Sequence, residues 1–233
     1  MNDVGMMSLI DLLPIAVLGA LLGMDVVTFP QAMISRPIVA ATAAGAFIGN
    51  APGGLVMGVV LELIALEMLP FGASRYPEWG SASVVGGSLF AAQEGDPAGA
   101  LPVSLVAALC AATLSGWSMV RLRRMNAAHA ARERDALANG SQRAVVGLQL
   151  FGLTADFARG GFVTLVAMLV FSPLVVAVLR SWGTDAAISR AVATGIAVAI
   201  SASAVWRVFH GVAHARVLFI AGLAAGAVIL VRG

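Results

Sequence analysis

The residues able to do chemistry crowd into one apolar part of this chain. Between positions 25 and 78 stand Asp25, Gln31, Arg36, Asn50, Glu62, Glu67, Arg75 and Glu78, set among glycines, prolines and aliphatic runs. Glu62 has no arginine within five residues on either side, and an ionised carboxylate in hydrocarbon is costly, so it calls for a partner or a polar cavity. Glu67 lies five positions further on. At about 100° per residue that places it roughly 140° around a helix, so the two carboxylates share no face and spacing alone cannot make them an acid–base pair. Each carboxylate also has a purely structural reading: Glu62 neutral and bonded to broken-helix backbone, Glu67 at an interface with Arg75. Arg36, directly before Pro37, starts a helix at a membrane edge and reads as an anchor. Asn50 is placed to cap the helix that follows it, and Asp25 and Gln31 close the first apolar run.

Outside this stretch the chemistry is sparse. Asp156 and Arg159 read as an interfacial ion pair. His210 and His214 are one helical turn apart, but two ligands without a nearby carboxylate or cysteine make no metal site, and His129 falls in an arginine-rich loop. The single cysteine, Cys110, sits in an apolar run, reads as packing, and leaves no partner for a disulfide within the chain. Signatures of phosphate-binding loops, helical zinc proteases and serine hydrolases are absent from the sequence. Catalysis by this chain alone is not indicated, and no metal or cofactor is implied.

The elements that must position these residues follow from composition. With 60% hydrophobic residues, 11% charged residues and a mean hydropathy of +0.94 over 233 residues, the chain is read as an all-α integral membrane protein, one membrane domain over 1–233. Residues 9–29, 98–120, 160–180, 186–206 and 214–231 are each long enough to span, with Pro14 and Pro173 as expected kinks. Residues 9–27, without a basic flank or a small-residue cleavage site before them, read as a retained segment. Other runs are short: 38–49, 55–66, 80–93 and 144–157. Twelve residues of helix cover only about 18 Å. The runs 38–49 and 55–66 flank the turn signal Asn50-Ala51-Pro52-Gly53-Gly54 and read as a re-entrant hairpin or a broken helix. Such backbone is tolerated at membrane depth only where protein or a water-filled cavity surrounds it, so short, Gly/Pro-interrupted segments point to a transporter's binding site. The architecture expected is a polytopic helical bundle with re-entrant or broken helices.

Topology follows from arginine, since the 14 basic residues include no lysine. Six arginines fall between Arg121 and Arg143, the pattern of a cytoplasmic loop and not of a nucleic-acid surface. The acidic stretch 94–97 then lies on the other side, joined to the loop by 98–120, and the turn flanked by Arg207 and Arg216 returns to the arginine side. This arrangement requires 144–157 to dip in and return. Within the loop a surface helix is expected over roughly 120–138, stopped near Asn139-Gly140. It is a solvated, orientation-setting element or a docking surface for a soluble partner.

The run "ISRPIVAATAAGAFIGNAPGGLVMGVVLELIALEMLPFGASRYPEWGSAS" resembles the membrane subunit IIC of the mannose/fructose/sorbose family of bacterial sugar phosphotransferase systems. The resemblance is carried by Arg36-Pro37, Gly49-Asn50, Leu61-Glu62 and Gly72-Ala73 through Pro77-Glu78, by the upstream "GMDVVTFPQAMISRP", and by the loop "RMNAAHAARERDALANGSQRAVVGLQLFG". It covers most of residues 15–165. It implies a sugar-translocating subunit in the bacterial inner membrane that partners a IID membrane subunit, with soluble IIA and IIB proteins supplying phosphoryl transfer as the sugar enters. A trimer of IIC–IID pairs is implied as well, and phosphohistidines are expected on the soluble components. Carboxylate, amide and guanidinium groups held in a protected cavity suit sugar hydroxyls. Glu62 is the expected main acceptor, Gln31, Asn50 and Glu78 support it, and Asp25 and Arg36 shape the site. Glu67 stands where relatives commonly carry glycine or another uncharged residue, which points to an altered ligand or subunit contact. A lone IIC-like carrier, or a regulatory or scaffold membrane protein without phosphotransfer, is the alternative.

Overall fold

The computed structural model describes residues 9–67, 76–93 and 97–232, and Arg75 and the acidic residues 94–96 lie outside them. The described residues form α-helices throughout: α1 (Leu9–Met24), α2 (Pro37–Ile48), α3 (Ala51–Ala65), α4 (Trp79–Ala91), α5 (Ala100–Arg132), a short α6 (Arg134–Ala138), α7 (Gln142–Arg180), α8 (Ala186–Phe209) and α9 (Ala215–Arg232). Three of them, α5, α7 and α8, are long and apolar enough to cross a bilayer. Pro14 and Pro173 both lie within helices, α1 and α7.

Helices α2 and α3 form the hairpin that the Gly/Pro break predicts. At 12 and 15 residues they cover only about 18 and 22 Å, short of the roughly 30 Å core of a bilayer. The turn is tighter than the five-residue signal suggests. Gly49 alone takes the left-handed conformation, with φ 96°, and Asn50 caps α3 by accepting from the Gly53 N–H at 2.9 Å. Small residues then let the two backbones close. A β-carbon on Gly45 would lie 2.6 Å from the Gly54 Cα and from the Asn50 carbonyl oxygen, so neither hairpin arm could carry one there without opening.

Helix α4 is buried on every side, from Trp79 to Ala91. A helix without a polar face belongs in the middle of a bundle, and α4 packs against α1, α2, α3, α5 and α7. Its glycines make that possible: β-carbons on Gly86 and Gly87 would each come within 2.7 Å of a neighbour, Ala108 Cβ and the Ala41 carbonyl respectively. The core around it includes Met57, Leu61, Val84, Val85, Leu101, Ala108 and Met168.

Four expectations need correction. Residues 9–29 do not form one span: α1 stops at Met24, because the Asp25 carboxylate gathers the following loop around itself and the chain runs irregularly to Arg36. The stretch 144–157 does not dip into the membrane. It is the first third of α7, a continuous helix of 39 residues that starts at the Ser141 cap. No breaker interrupts it, since Gly147 and Gly152 sit in its interior without bending the backbone out of helix. Likewise the expected surface helix over 120–138 is mainly the extension of α5. At 33 residues, about 50 Å, α5 outruns the bilayer, and with the start of α7 it makes an antiparallel stalk whose tip is α6 and the Asn139-Gly140 turn. The ring of His129 on one arm lies 4.6 Å from that of Phe151 on the other. Finally, Cys110 is exposed on α5 and is not part of the packed interior.

The ends of the bundle sort as the arginines require. One end holds the α5 start, the α7 end and the α8 start, with Gly99 against Trp182 and the Trp182 indole N–H donating to Ser189 Oγ at 3.0 Å. The hairpin tip points the same way, for Asn50 donates from Nδ2 to the Ala91 carbonyl at the end of α4, 3.1 Å away. The stalk, the α1–α2 loop, the end of α3, the start of α4 and the α8–α9 turn share the other end.

Candidate functional site

The irregular segment 25–36 organises the polar residues at that second end. Asp25, buried, accepts from the Ala32 N–H at 2.6 Å, the Ser35 N–H at 2.9 Å and the Ser35 hydroxyl at 2.8 Å. Its carboxylate replaces the helical partners that these groups lack, which is how non-helical backbone survives inside an apolar bundle. The segment includes a cis Phe29–Pro30 bond and left-handed backbone at Gln31 and Met33. Gln31 is exposed, and its amide donates to the Val27 carbonyl at 3.0 Å.

From this segment Arg36 reaches across the hairpin and pairs with Glu62 Oε1. The partner that Glu62 needs therefore lies 26 residues away in sequence, at the start of α2. Among the described residues the second oxygen, Oε2, has only a long 3.3 Å contact from the Ile38 N–H at the first turn of α2. The pair is accessible, with side chains 40% exposed for Arg36 and 16% for Glu62, so Glu62 keeps an acceptor that an incoming hydroxyl can use. One turn on, Glu67 pairs with Arg207 of α8, and its Oε2 is buried without a hydrogen-bond partner among the described residues.

A second, fully buried cluster lies against the start of α4. Glu78 is the α4 N-cap, accepting from the N–H groups of Gly80 at 2.6 Å and Ser81 at 3.2 Å, and from the hydroxyls of Ser81 and Ser115, the latter at 2.7 Å. Arg159 stands behind it. Its Nη1 donates to Ser115 Oγ at 2.8 Å and lies 4.0 Å from Glu78 Oε2, while its Nε donates to Asp156 Oδ1 at 2.8 Å. The other Asp156 oxygen takes the Thr28 hydroxyl, which ties the 25–36 segment to α7. Two carboxylates thus share one guanidinium, whose Nη2 is buried and without a hydrogen-bond partner among the described residues. Asp156 and Arg159, 0% and 7% exposed, form their ion pair within the packed bundle.

The structure therefore brings Asp25, Arg36 and Glu62 together around the segment that also carries Gln31, and sets Glu78 in the adjoining cluster. Asn50 lies at the opposite end, and Glu67 is turned toward α8. Thr28, Ser81, Ser115, Asp156 and Arg159 are the participants that sequence reasoning passed over or set aside. The one signal for them was Asp156-x-x-Arg159, an i, i+3 pair inside an otherwise apolar helix.

Two cavities with mixed polar and apolar walls flank this arrangement. One, of about 630 Å³, opens at the hairpin tip and is lined by Gly49, Asn50, Gly53, Gln93 and Arg190. The other, of about 330 Å³, lies at the root of the stalk between Thr28, Phe29, Asn126, Gln149 and Gly152. No group of three or more histidine, cysteine, aspartate or glutamate side chains able to hold a metal occurs among the described residues.

A family model described as the sorbose-specific IIC component of the phosphotransferase system matches residues 9–222. The chain belongs to this IIC family. It is thus a membrane component of a sugar phosphotransferase system, as the Arg-Pro, Gly-Asn and Leu-Glu elements of the hairpin indicate. Its fold is that of solved membrane proteins. One membrane-protein structure superposes with a TM-score of 0.73 at 18% identity, covering 94% of this chain and 87% of that one. The mannose transporter ManYZ, seen by cryo-electron microscopy in complex with microcin E492, superposes with a TM-score of 0.60 at 18% identity and the same coverage. No curated protein matches the chain.

Proposed function

We propose that this IIC component carries a hexose or related sugar across the bacterial inner membrane, that it works with a IID membrane subunit, and that soluble IIA and IIB proteins phosphorylate the sugar as it enters. The observation that carries this reading is the Arg36–Glu62 pair at the base of a hairpin too short to cross the membrane. A charged, partly exposed pair on a broken element inside an apolar bundle suits recognition of a neutral polyhydroxylated ligand, besides tying the hairpin to the segment before it. Glu62 is assigned as the main hydroxyl acceptor and Arg36 as the donor beside it. Asp25 holds the segment from which Arg36 and Gln31 project. Glu78, with its oxygens already committed, sets the start of α4 and supports the site from behind. Asn50 and the cavity at the hairpin tip form the outer approach, and the cavity beside Thr28 the inner one. Glu67, paired with Arg207, stands apart from the sugar and serves the contact with α8. One membrane domain and a trimer of IIC–IID pairs complete the proposal.

The test is binding of a panel of hexoses and amino sugars to detergent-purified protein, with and without a IID partner, comparing wild type with Glu62→Gln. Saturable binding that weakens at least tenfold in the variant supports the assignment, and dependence on the partner separates a subunit from a lone carrier. Folded protein that binds no sugar under either condition would overturn the reading in favour of a scaffold or regulatory role.

A further inference from the structure

Helix α9 is the least supported element of the fold. It is apolar along its length, with Leu218, Ile220, Leu223 and Ile229 more than half exposed, and it makes no extensive packing with any other helix. Its firm attachment is an edge contact between Phe219 and Trp206 of α8, ring centroids 5.6 Å apart. Between α9, α8 and the outer face of α3 lies a groove of about 480 Å³, lined by Leu63, Val198, Val205, Phe209, Phe219 and Leu223 among others. Toward the α8–α9 turn the groove is lined by Phe209, Val212 and Ala215, next in sequence to the charged residues of that turn. Glu67, two residues past the end of α3, meets Arg207 of α8. The α8–α9 turn adds His210 and His214, and Arg216 opens α9.

We propose that this groove holds one acyl chain of an anionic phospholipid whose phosphate rests on Arg207 and Arg216. The apolar walls suit hydrocarbon and nothing polar. Charge complementarity selects the headgroup: two guanidiniums against the single carboxylate of Glu67 leave a net positive end, and the N-terminal turn of α9 adds the positive end of its dipole. The same end of the bundle carries the arginine stalk, hence faces the leaflet in which anionic lipids concentrate. The bound lipid supplies the packing against α3 and α8 that α9 lacks within the chain. A second copy of this chain or a helix of a partner subunit is the competing occupant, and the test separates them.

Full-length protein purified in mild detergent is extracted and its phospholipids quantified, for wild type, Gly222→Leu and Arg216→Gln. Gly222 borders the groove and a β-carbon there meets nothing within 4 Å, so leucine fills the space without a clash. Wild type should retain about one anionic phospholipid per chain, both variants at least fivefold less, and excess inorganic phosphate should not displace it. Thermal unfolding supplies the independent measurement: phosphatidylglycerol should raise the wild-type midpoint and leave that of Gly222→Leu unmoved, with phosphatidylcholine inactive on both. Equal retention of zwitterionic lipid, or unchanged retention in Gly222→Leu, overturns the proposal. So does efficient disulfide cross-linking of Leu223→Cys to another chain in a Cys110→Ser background, which would show a protein helix in the groove.

Discussion

Removing the Glu78 carboxylate tests whether the buried cluster holds the bundle together. In Glu78→Ala the N–H groups of Gly80 and Ser81 and the hydroxyls of Ser81 and Ser115 lose their common acceptor, and Arg159 keeps only Asp156 as an ionic partner. Loss of an N-cap costs about 1 kcal/mol. Breaking a buried ion pair costs about 3–5 kcal/mol, taken here at the lower bound because Asp156 remains at 2.8 Å from the guanidinium. The sum is about 4 kcal/mol. Glu78→Gln retains an acceptor for the cap and gives up only the charge, a loss of about 1–2 kcal/mol. Equilibrium unfolding in detergent micelles, followed by tryptophan fluorescence because Trp79 adjoins the site, should rank wild type, then Gln, then Ala. Ser115→Ala should couple to Glu78→Ala by about 1 kcal/mol in a double-mutant cycle, since both act on one network. If Glu78→Ala unfolds within about 1 kcal/mol of wild type, or if Gln and Ala are equally damaging, the carboxylate is not the keystone described here.

Asn50→Ala removes both the α3 cap and the bond to the Ala91 carbonyl and should cost about 2 kcal/mol in the same assay, with Asn50→Asp, which keeps the cap, falling between. Gly45→Val should open the α2–α3 hairpin, because its side chain would meet backbone of α3 on approach; limited proteolysis at residues 49–54 should rise sharply over wild type. Thr28→Ala frees the 25–36 segment from Asp156 and should accelerate hydrogen exchange across that segment at least tenfold while leaving α7 protected, whereas Thr28→Ser should restore protection.

How much of this was legible in the sequence depended on range. The hairpin was legible because its signals are local: Pro37 at a helix start, Gly49-Asn50 at the turn, and apolar runs too short to span. The cap role of Asn50 follows from the same few residues. The dip assigned to 144–157 failed for the opposite reason. Asp156, Arg159, Gly160 and Gly161 between two apolar runs look like a boundary, but nothing there stops a helix, and α7 continues through them from the stalk to the span. The partner of Glu62 was invisible because it is brought near by the fold, 26 residues back. Ser81 and Ser115 were overlooked because an isolated serine in an apolar helix carries no signal until a carboxylate such as Glu78 is seen beside it.

The charges in this apolar chain fall into a pattern that bears on how it could work. Segment 25–36 is bonded on three sides: to its own carboxylate at Asp25, to α7 through Thr28 and Asp156, and to the hairpin through Arg36 and Glu62. The Ser35–Asp25 bonds are buried, whereas the Thr28–Asp156 and Arg36–Glu62 ties are part-buried, with the Arg36 side chain 40% exposed. A ligand that takes hydrogen bonds from Arg36 or gives them to Glu62 must compete with the exposed tie, and in doing so it loosens the hairpin from the segment without touching the Asp25 and Asp156 anchors. Binding free energy is then differential between two arrangements of the hairpin, which is the condition for a ligand to shift a conformational equilibrium. The Asp156–Arg159–Glu78 cluster fits the complementary role. Its members sit on α7 and at the start of α4, its bonds link those helices and α5, and its near-complete burial makes it the more rigid side against which the hairpin packs.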